Sequence, residues 1–241
     1  MPTTRAPSST PAPSTRAERR EEVTRRILEI GRDHLAKEGA AALSLRAVTR
    51  DLGMVSSAVY RYVANRDDLL TLLVVDAYTE LADHVDAALA RSRGGFAAQV
   101  LVLAGTMRSW AVAEPARWAL LYGSPVPGYA APPSTVEAGT RVMVVLMHLL
   151  DEGVAAGEVP TGAGAVALPR ALGRDLAAVR TEVGLQQADD ATLARGILLW
   201  TTLVGAVSLE VFGQLGESTF AHPDVLFEHQ VRQALRVVTA P

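Results

Sequence analysis

The stretch Ser44-Leu45-Arg46-Ala47-Val48-Thr49-Arg50-Asp51-Leu52-Gly53-Met54-Val55-Ser56-Ser57-Ala58-Val59-Tyr60-Arg61-Tyr62 concentrates guanidinium groups and hydroxyls around a single glycine. Such groups suit recognition of a polyanion with readable edges, because guanidinium forks and hydroxyls bond both phosphate oxygens and base edges. They do not suit catalysis. The five histidines (His34, His84, His148, His222, His229) are scattered, and neither a HExxH pair nor a Gly-rich phosphate loop occurs. His84 beside Asp83 and Asp86, or His148 three residues before Asp151, has the spacing of solvated or capping partners on a helix. No catalytic residue, metal ligand or cofactor site is expected. The chain contains no cysteine, which removes disulfides, thiolate metal sites and thiol nucleophiles.

The elements that position these groups follow from local rules. Ser44 is a good N-cap, and Leu45, Val48 and Leu52 form one apolar stripe. Ala47 is small where a second helix must approach. Gly53 supplies the positive φ that ends the first helix tightly, Ser56 is expected to cap the next, and Val59 and Val63 turn inward. Two short helices, Ser44 to Leu52 and Ser57 to about Tyr62, joined by a Gly-containing turn make a helix-turn-helix. Its second helix would enter a major groove N-terminal end first, with Ser57, Ala58 and Arg61 toward base edges and the Tyr60 and Tyr62 hydroxyls toward phosphates. Asn65 is expected to cap the following helix, whose N-terminus carries Arg66 and is a natural phosphate seat.

Charge follows the same division. The chain has 241 residues and a net charge of −3, yet residues 16–66 carry an excess of positive charge and residues 67–241 a larger excess of negative charge. A basic end on an acidic body suits binding of a polyanion at that end. Two rival readings are an all-α enzyme, for which the scattered histidines offer no acid–base or metal constellation, and a non-specific architectural DNA-binding protein, which would spread its positive charge more widely.

Leu43-Ser44-Leu45-Arg46 through Leu52-Gly53-Met54, then Val59-Tyr60-Arg61-Tyr62-Val63-Ala64-Asn65-Arg66-Asp67-Asp68-Leu69-Leu70, resembles the DNA-binding domain of TetR-family regulators over roughly residues 20–72. Arg66 stands where that family usually has Lys, and Val63 where Phe is commoner. The resemblance implies that Ser44, Tyr60, Tyr62 and Arg66 hold phosphates, while Arg46, Ser56, Ser57, Ala58 and Arg61 address bases or nearby backbone. With few long polar side chains on the recognition helix, base reading would lean on Arg46, Arg61 and apolar contact with thymine methyls. The segment Glu114-Pro115-Ala116-Arg117-Trp118-Ala119-Leu120-Leu121-Tyr122-Gly123-Ser124-Pro125-Val126-Pro127-Gly128-Tyr129 is similar to an actinobacterial-type C-terminal subclass of the family.

Around the motif, the fold class reads as all-α. Residues 1–15, rich in Pro and Ser/Thr, are expected to be a disordered tail, residues 16–66 a helix-turn-helix domain, and residues 67–241 a helical ligand-binding and dimerisation domain. Helical periodicity marks Val23 to Gly39, a long helix from about Arg66 to Arg91, Phe96 to Trp110, Val136 to Leu150, Leu168 to Val183, Asp189 or Asp190 to about Leu215, and a last helix from Pro223. A short helix and turn-rich loop are expected over Trp118 to Tyr129, and a Gly/Ala-rich connection over 153–164. Trp200, Val204, Val207, Val211 and Phe212 on one helix, with Phe227, Val231 and Leu235 on the next, are the expected homodimer interface. Thr201 and Gly205 would permit close helix approach. Met107, Trp110, Trp118, Tyr122, Met143, Met147 and His148 are the expected lining of a pocket for a small apolar or amphipathic ligand, with His148 orienting a polar group. The longest uncharged apolar stretch, Gly196 to Leu209, is shorter than a bilayer span, and the N-terminus has no signal pattern. A cytoplasmic regulator bound to double-stranded operator DNA is therefore expected, with no membrane partner.

Overall fold

A computed structural model of the chain describes residues 15–162, 166–216 and 218–240. Among the described residues the secondary structure is helical throughout: α1 (Arg16–Ala42), α2 (Leu45–Asp51), α3 (Ser56–Val59), α4 (Arg66–Arg91), α5 (Phe96–Ala113), α6 (Pro115–Tyr122), a 3-10 turn at Pro133–Thr135, α7 (Val136–Ala155), α8 (Arg170–Val183), α9 (Asp190–Val211) and α10 (Pro223–Thr239). The expected tail lies outside the described residues, except Thr15. That hydroxyl accepts from the Glu18 amide while Glu18 accepts from the Thr15 amide, a capping box that starts α1. The expected 153–164 connection is partly outside as well. Gly39, at φ 76°, breaks α1 as its position suggested, and one further turn follows it.

Helix starts follow the local chemistry. Asn65 accepts from the Asp68 amide at 2.8 Å to open α4, Asp189 accepts from the Thr192 amide at 2.8 Å to open α9, and Pro223 is the first residue of α10. The α5 start has no side-chain cap of its own. Glu158, from beyond α7, accepts from the Phe96 amide at 2.7 Å instead.

Two apolar cores result. A head core gathers Ile27, Leu43, Leu45, Val48, Leu52, Val59 and Val63 from α1–α3, with Leu69, Leu70 and Leu73 from α4. A larger body core runs from Ala77, Leu81 and Val85 of α4 through α5–α10. Thus α4 belongs to both: its first two turns complete the head and the remainder enters the body. The expected division after residue 66 falls at the start of this shared helix. By length and composition α5 and α9 could each cross a membrane, yet the buried faces of both (Val100, Leu103, Met107; Leu199, Leu203, Val207) form the body core.

Candidate DNA-binding surface

The head presents α2, a tight turn and α3. Ser44 accepts from the Ala47 amide to cap α2, and Gly53 takes φ 65° in the turn. At that φ a side chain would be strained, so glycine is what lets α3 start three residues later. The N-cap of α3 is Val55, without a side-chain hydrogen bond, and Ser56 is its first helical residue. The expected capping role of Ser56 is therefore corrected: its hydroxyl stays on the surface. The helix is also shorter than the periodicity implied, although the chain continues in turns to Val63, held by the Val59 carbonyl, which accepts from the Tyr62 and Val63 amides.

Arg46, Ser56, Ser57 and Arg61 are all exposed, Tyr60 is 48% exposed, and Ala58 is half-buried between them. Among the described residues no hydrogen bond or ion pair holds the Arg46 or Arg61 guanidinium, so both stand free on the surface of the helix-turn-helix. Other head arginines are engaged. Arg25 pairs with Glu22 and Glu29, Arg26 donates to the Leu52 carbonyl at 3.3 Å, and Arg32 turns toward α4. Tyr62 is half-buried, with the Arg20 guanidinium 5.7 Å from its ring centroid. Arg66 departs furthest from expectation. Its guanidinium donates to the carbonyls of Leu43 (3.0 Å), Ala40 (2.9 Å) and Ala41 (3.0 Å). There it satisfies the open C-terminal carbonyls of α1 rather than projecting toward a phosphate.

Three groups on this face escaped the sequence reading. Val55 is 75% exposed at the tip of the turn, an apolar residue where no core needs one. Arg50 lies exposed beside Asp51, and Arg20 stacks on Tyr62. The charge excess of residues 16–66 was the available signal for the two arginines. Behind the face, His34 Nε2 lies 2.8 Å from Asp51 Oδ2 and ties α1 to the end of α2. Hydrogen bonds from His34 and then Arg50 hold the Asp51 carboxyl below its ordinary range.

In the body, the expected pocket residues divide. Met107, Trp118 and Met147 are sealed from solvent in the core. Trp118 lies 4.3 Å from Tyr122 between ring centroids, and Tyr122 meets Tyr78 at 6.0 Å and Trp200 at 6.5 Å. Burial pushes the Tyr122 phenol pKa far up, and Met143 lies partly buried against the same core. Trp110 lines a surface cleft of about 620 Å³ between α4 and α5, with Glu80, His84 and Leu101. His148 is exposed on α7, so it cannot orient a ligand in this cluster. The polar groups that do reach it are the Tyr122 hydroxyl and Ser208, whose Oγ accepts from Trp118 Nε1 at 3.1 Å.

The expected dimer residues also need correction. Val207, Phe227, Val231 and Leu235 are buried within the chain itself, where α9 and α10 close the body core. Trp200, Val204 and Val211 are partly buried against that core, and Phe212 is 37% exposed. The opposite side of α9 carries Leu198 (49% exposed), Thr201, Gly205, Leu209 (39%) and Phe212, a stripe without charge. A Cβ at Gly205 would meet nothing within 4 Å.

A helix-turn-helix head joined through one shared helix to an all-α body is the architecture of a transcription regulator, and the chain belongs to the TetR family. Residues 100–234 match the tetracyclin repressor-like C-terminal domain. The HTH-type transcriptional regulator Rv1816 of Mycobacterium tuberculosis is 46% identical over 225 residues, covering 92% of this chain and 95% of that protein; Mb1846 of Mycobacterium bovis matches to the same extent. The crystal structure of the regulatory protein SCO4313 superposes with a TM-score of 0.71 at 32% identity, covering 92% of this chain and 99% of that one. FadR of Bacillus halodurans, a fatty acid degradation regulator, shares the fold at a TM-score of 0.60 and 13% identity, over 86% of this chain and 97% of that one. The protein is a DNA-binding transcriptional regulator.

Proposed function

We propose that the protein is a ligand-responsive repressor that binds a palindromic operator as a homodimer in the cytoplasm and leaves it when a small apolar or amphipathic molecule enters the body. The observation that carries the DNA reading is the pair of free, exposed guanidiniums, Arg46 on α2 and Arg61 just after α3, on the same helix-turn-helix as the exposed Ser56 and Ser57, while several neighbouring head arginines are engaged within the protein. Arg46 and Arg61 would read bases, with Ser56, Ser57 and Ala58 beside them and Val55 against a thymine methyl. Ser44, Tyr60 and Tyr62 would contact the backbone. Arg66 would act indirectly, by holding α1 to α4.

The charge-free stripe of α9 supports homodimer formation, because an exposed apolar stripe of this kind marks an association surface. A symmetric dimer would present two recognition helices about 34–36 Å apart, one helical turn of DNA. The aromatic cluster of Tyr78, Trp118, Tyr122 and Trp200 supports an apolar ligand. Since Trp118 and Met147 are sealed, a ligand entering there would displace a helix around the cluster; movement of α4 or α6, which also touch the head, would bias the head through the ligand's differential affinity for two states.

Genome-wide footprinting of bound sites tests the reading. It should recover dyad-symmetric sites close to a small set of genes, and metabolites of those genes' reactions should then release the purified complex. Binding without site preference would support a non-specific DNA-binding protein and contradict the proposal.

A further inference from the structure

The segment Glu114 to Tyr129, conspicuous in the sequence, has no part in the DNA-binding surface or the dimer stripe, and the structure gives it three neighbours at once. Its Arg117 is 4% exposed. There it donates from Nη1 to Glu80 Oε1 at 2.7 Å and from Nη2 to Asp76 Oδ2 at 3.1 Å, with the guanidinium 5.1 Å from the Trp110 ring centroid. Asp76 also accepts from Arg32 of α1, with Nε to Oδ2 at 2.8 Å and Nη2 to Oδ1 at 2.6 Å. One α4 carboxylate is therefore gripped from the head side by Arg32 and from the body side by Arg117. The adjacent Trp118 reaches α9 through Ser208. Leu120, Val126 and Tyr129 lie against the head core, and the Tyr129 hydroxyl meets Thr71 Oγ1 at 3.0 Å.

Apolar contacts such as those of Leu120 and Val126 attach the head but fix its angle weakly, because burial has no direction. A two-pronged guanidinium–carboxylate pair is directional. We infer that Arg32 is a positioning residue for DNA recognition: through Asp76 and Arg117 it sets the angle of the head on the body, and hence the half-site spacing a dimer accepts, without touching DNA. The inference rests on the dimer-and-operator reading above.

The test uses the full chain and the operator recovered by footprinting, re-synthesised with one or two base pairs added or removed between half-sites. Each added pair moves the half-sites about 3.4 Å apart along the axis. The wild type should lose roughly tenfold or more in affinity per displaced base pair. Arg32→Gln should flatten that series to within about threefold while keeping the wild-type salt slope on non-specific DNA, since no phosphate contact is removed. Arg32→Lys should fall between them. Arg32 is one-third exposed in its side chain, so its loss leaves buried Arg117 still paired with Asp76 and Glu80. A melting curve accompanies each titration, and Asp76→Asn, which leaves Arg32 its longer contact to Glu80 at 3.4 Å, is a second variant expected to flatten the series in part. An Arg32→Gln protein with the wild-type spacing profile overturns the inference, as does one that weakens all spacings equally with a shallower salt slope. A wild type indifferent to spacing would instead defeat the operator reading itself, and the inference with it.

Discussion

The head of this protein keeps two free arginines on its helix-turn-helix, whereas the arginines that flank the body core are held by carboxylates. In the body, Arg108 is held by Glu210 (2.7 Å from Nε), Arg117 by Asp76 and Glu80, and Arg141 by Asp83 and Asp86. In the head, Arg46 and Arg61 are free while Arg32 and Arg66 are tied inward. What separates an arginine available to DNA from a structural one is the set of acceptors within reach. Apolar groups divide within both regions: the head leaves Val55 in solvent beside the recognition helix, and the body, which buries Trp118 completely, leaves Leu198 and Leu209 exposed on α9.

The largest test of this contrast is Trp118→Ala. Emptying a sealed site of that size should cost about 3–5 kcal/mol in chemical denaturation. The loss should fall on the body, because Trp118 belongs to the body core. A value below about 1 kcal/mol would mean that the aromatic cluster is slack. Arg66→Ala comes next. Releasing three carbonyls at the end of α1 should cost about 1.5–3 kcal/mol of stability and leave the salt slope of non-specific DNA binding unchanged. A slope reduced by about one with stability intact would return Arg66 to the phosphate role its sequence position suggested. Gly53→Ala should cost about 1–2 kcal/mol, since its φ of 65° is unfavourable for a side chain. Differential scanning calorimetry, compared with the same change at the surface position Gly157 (φ 73°, open space), separates local strain from a defect in the helix-turn-helix.

The smallest expected effect concerns acid. Asp151 at the end of α7 accepts from the Gln186, Gln187 and Ala188 amides at 3.0, 2.8 and 2.7 Å. Burial alone would raise its pKa, but these bonds outweigh it and lower the value from 3.8. A carboxyl lowered on folding stabilises above its unfolded pKa and loses that contribution as pH falls through its folded one. The α8–α9 connection should therefore loosen below about pH 3.8, in a step that Asp151→Asn removes. Hydrogen exchange of residues 184–189 across that range reads it directly.

Much of the head was legible because local chemistry dictates it. Ser44, Gly53 and Asn65 each announce a helix end through a hydrogen bond or a φ that few other residues supply, and Asp189 and Pro223 do the same in the body. Long-range partnership left no such trace. Arg66 precedes a helix and so looked like a phosphate ligand, but its acceptors lie more than twenty residues earlier in the chain. Both sides of α9 are apolar, and periodicity alone could not say that Val207 faces inward while Leu198 and Leu209 face out. His148 illustrates the same limit on α7, where apolar residues on several sides hid the exposed direction. The recognition helix was overestimated because turns held by the Val59 carbonyl keep helical spacing without forming a helix.

The central claim is that the free arginines of the head read DNA sequence. It is tested most directly by competition binding at fixed salt between a selected site and random duplex, for the wild type and for Arg61→Ala. Two protomers should occupy each site, the wild type should prefer it roughly a thousandfold or more, and Arg61→Ala should lose about 1–3 kcal/mol of that preference with non-specific binding retained. A wild-type preference near unity, or an Arg61→Ala protein that discriminates as well as the wild type, would contradict it.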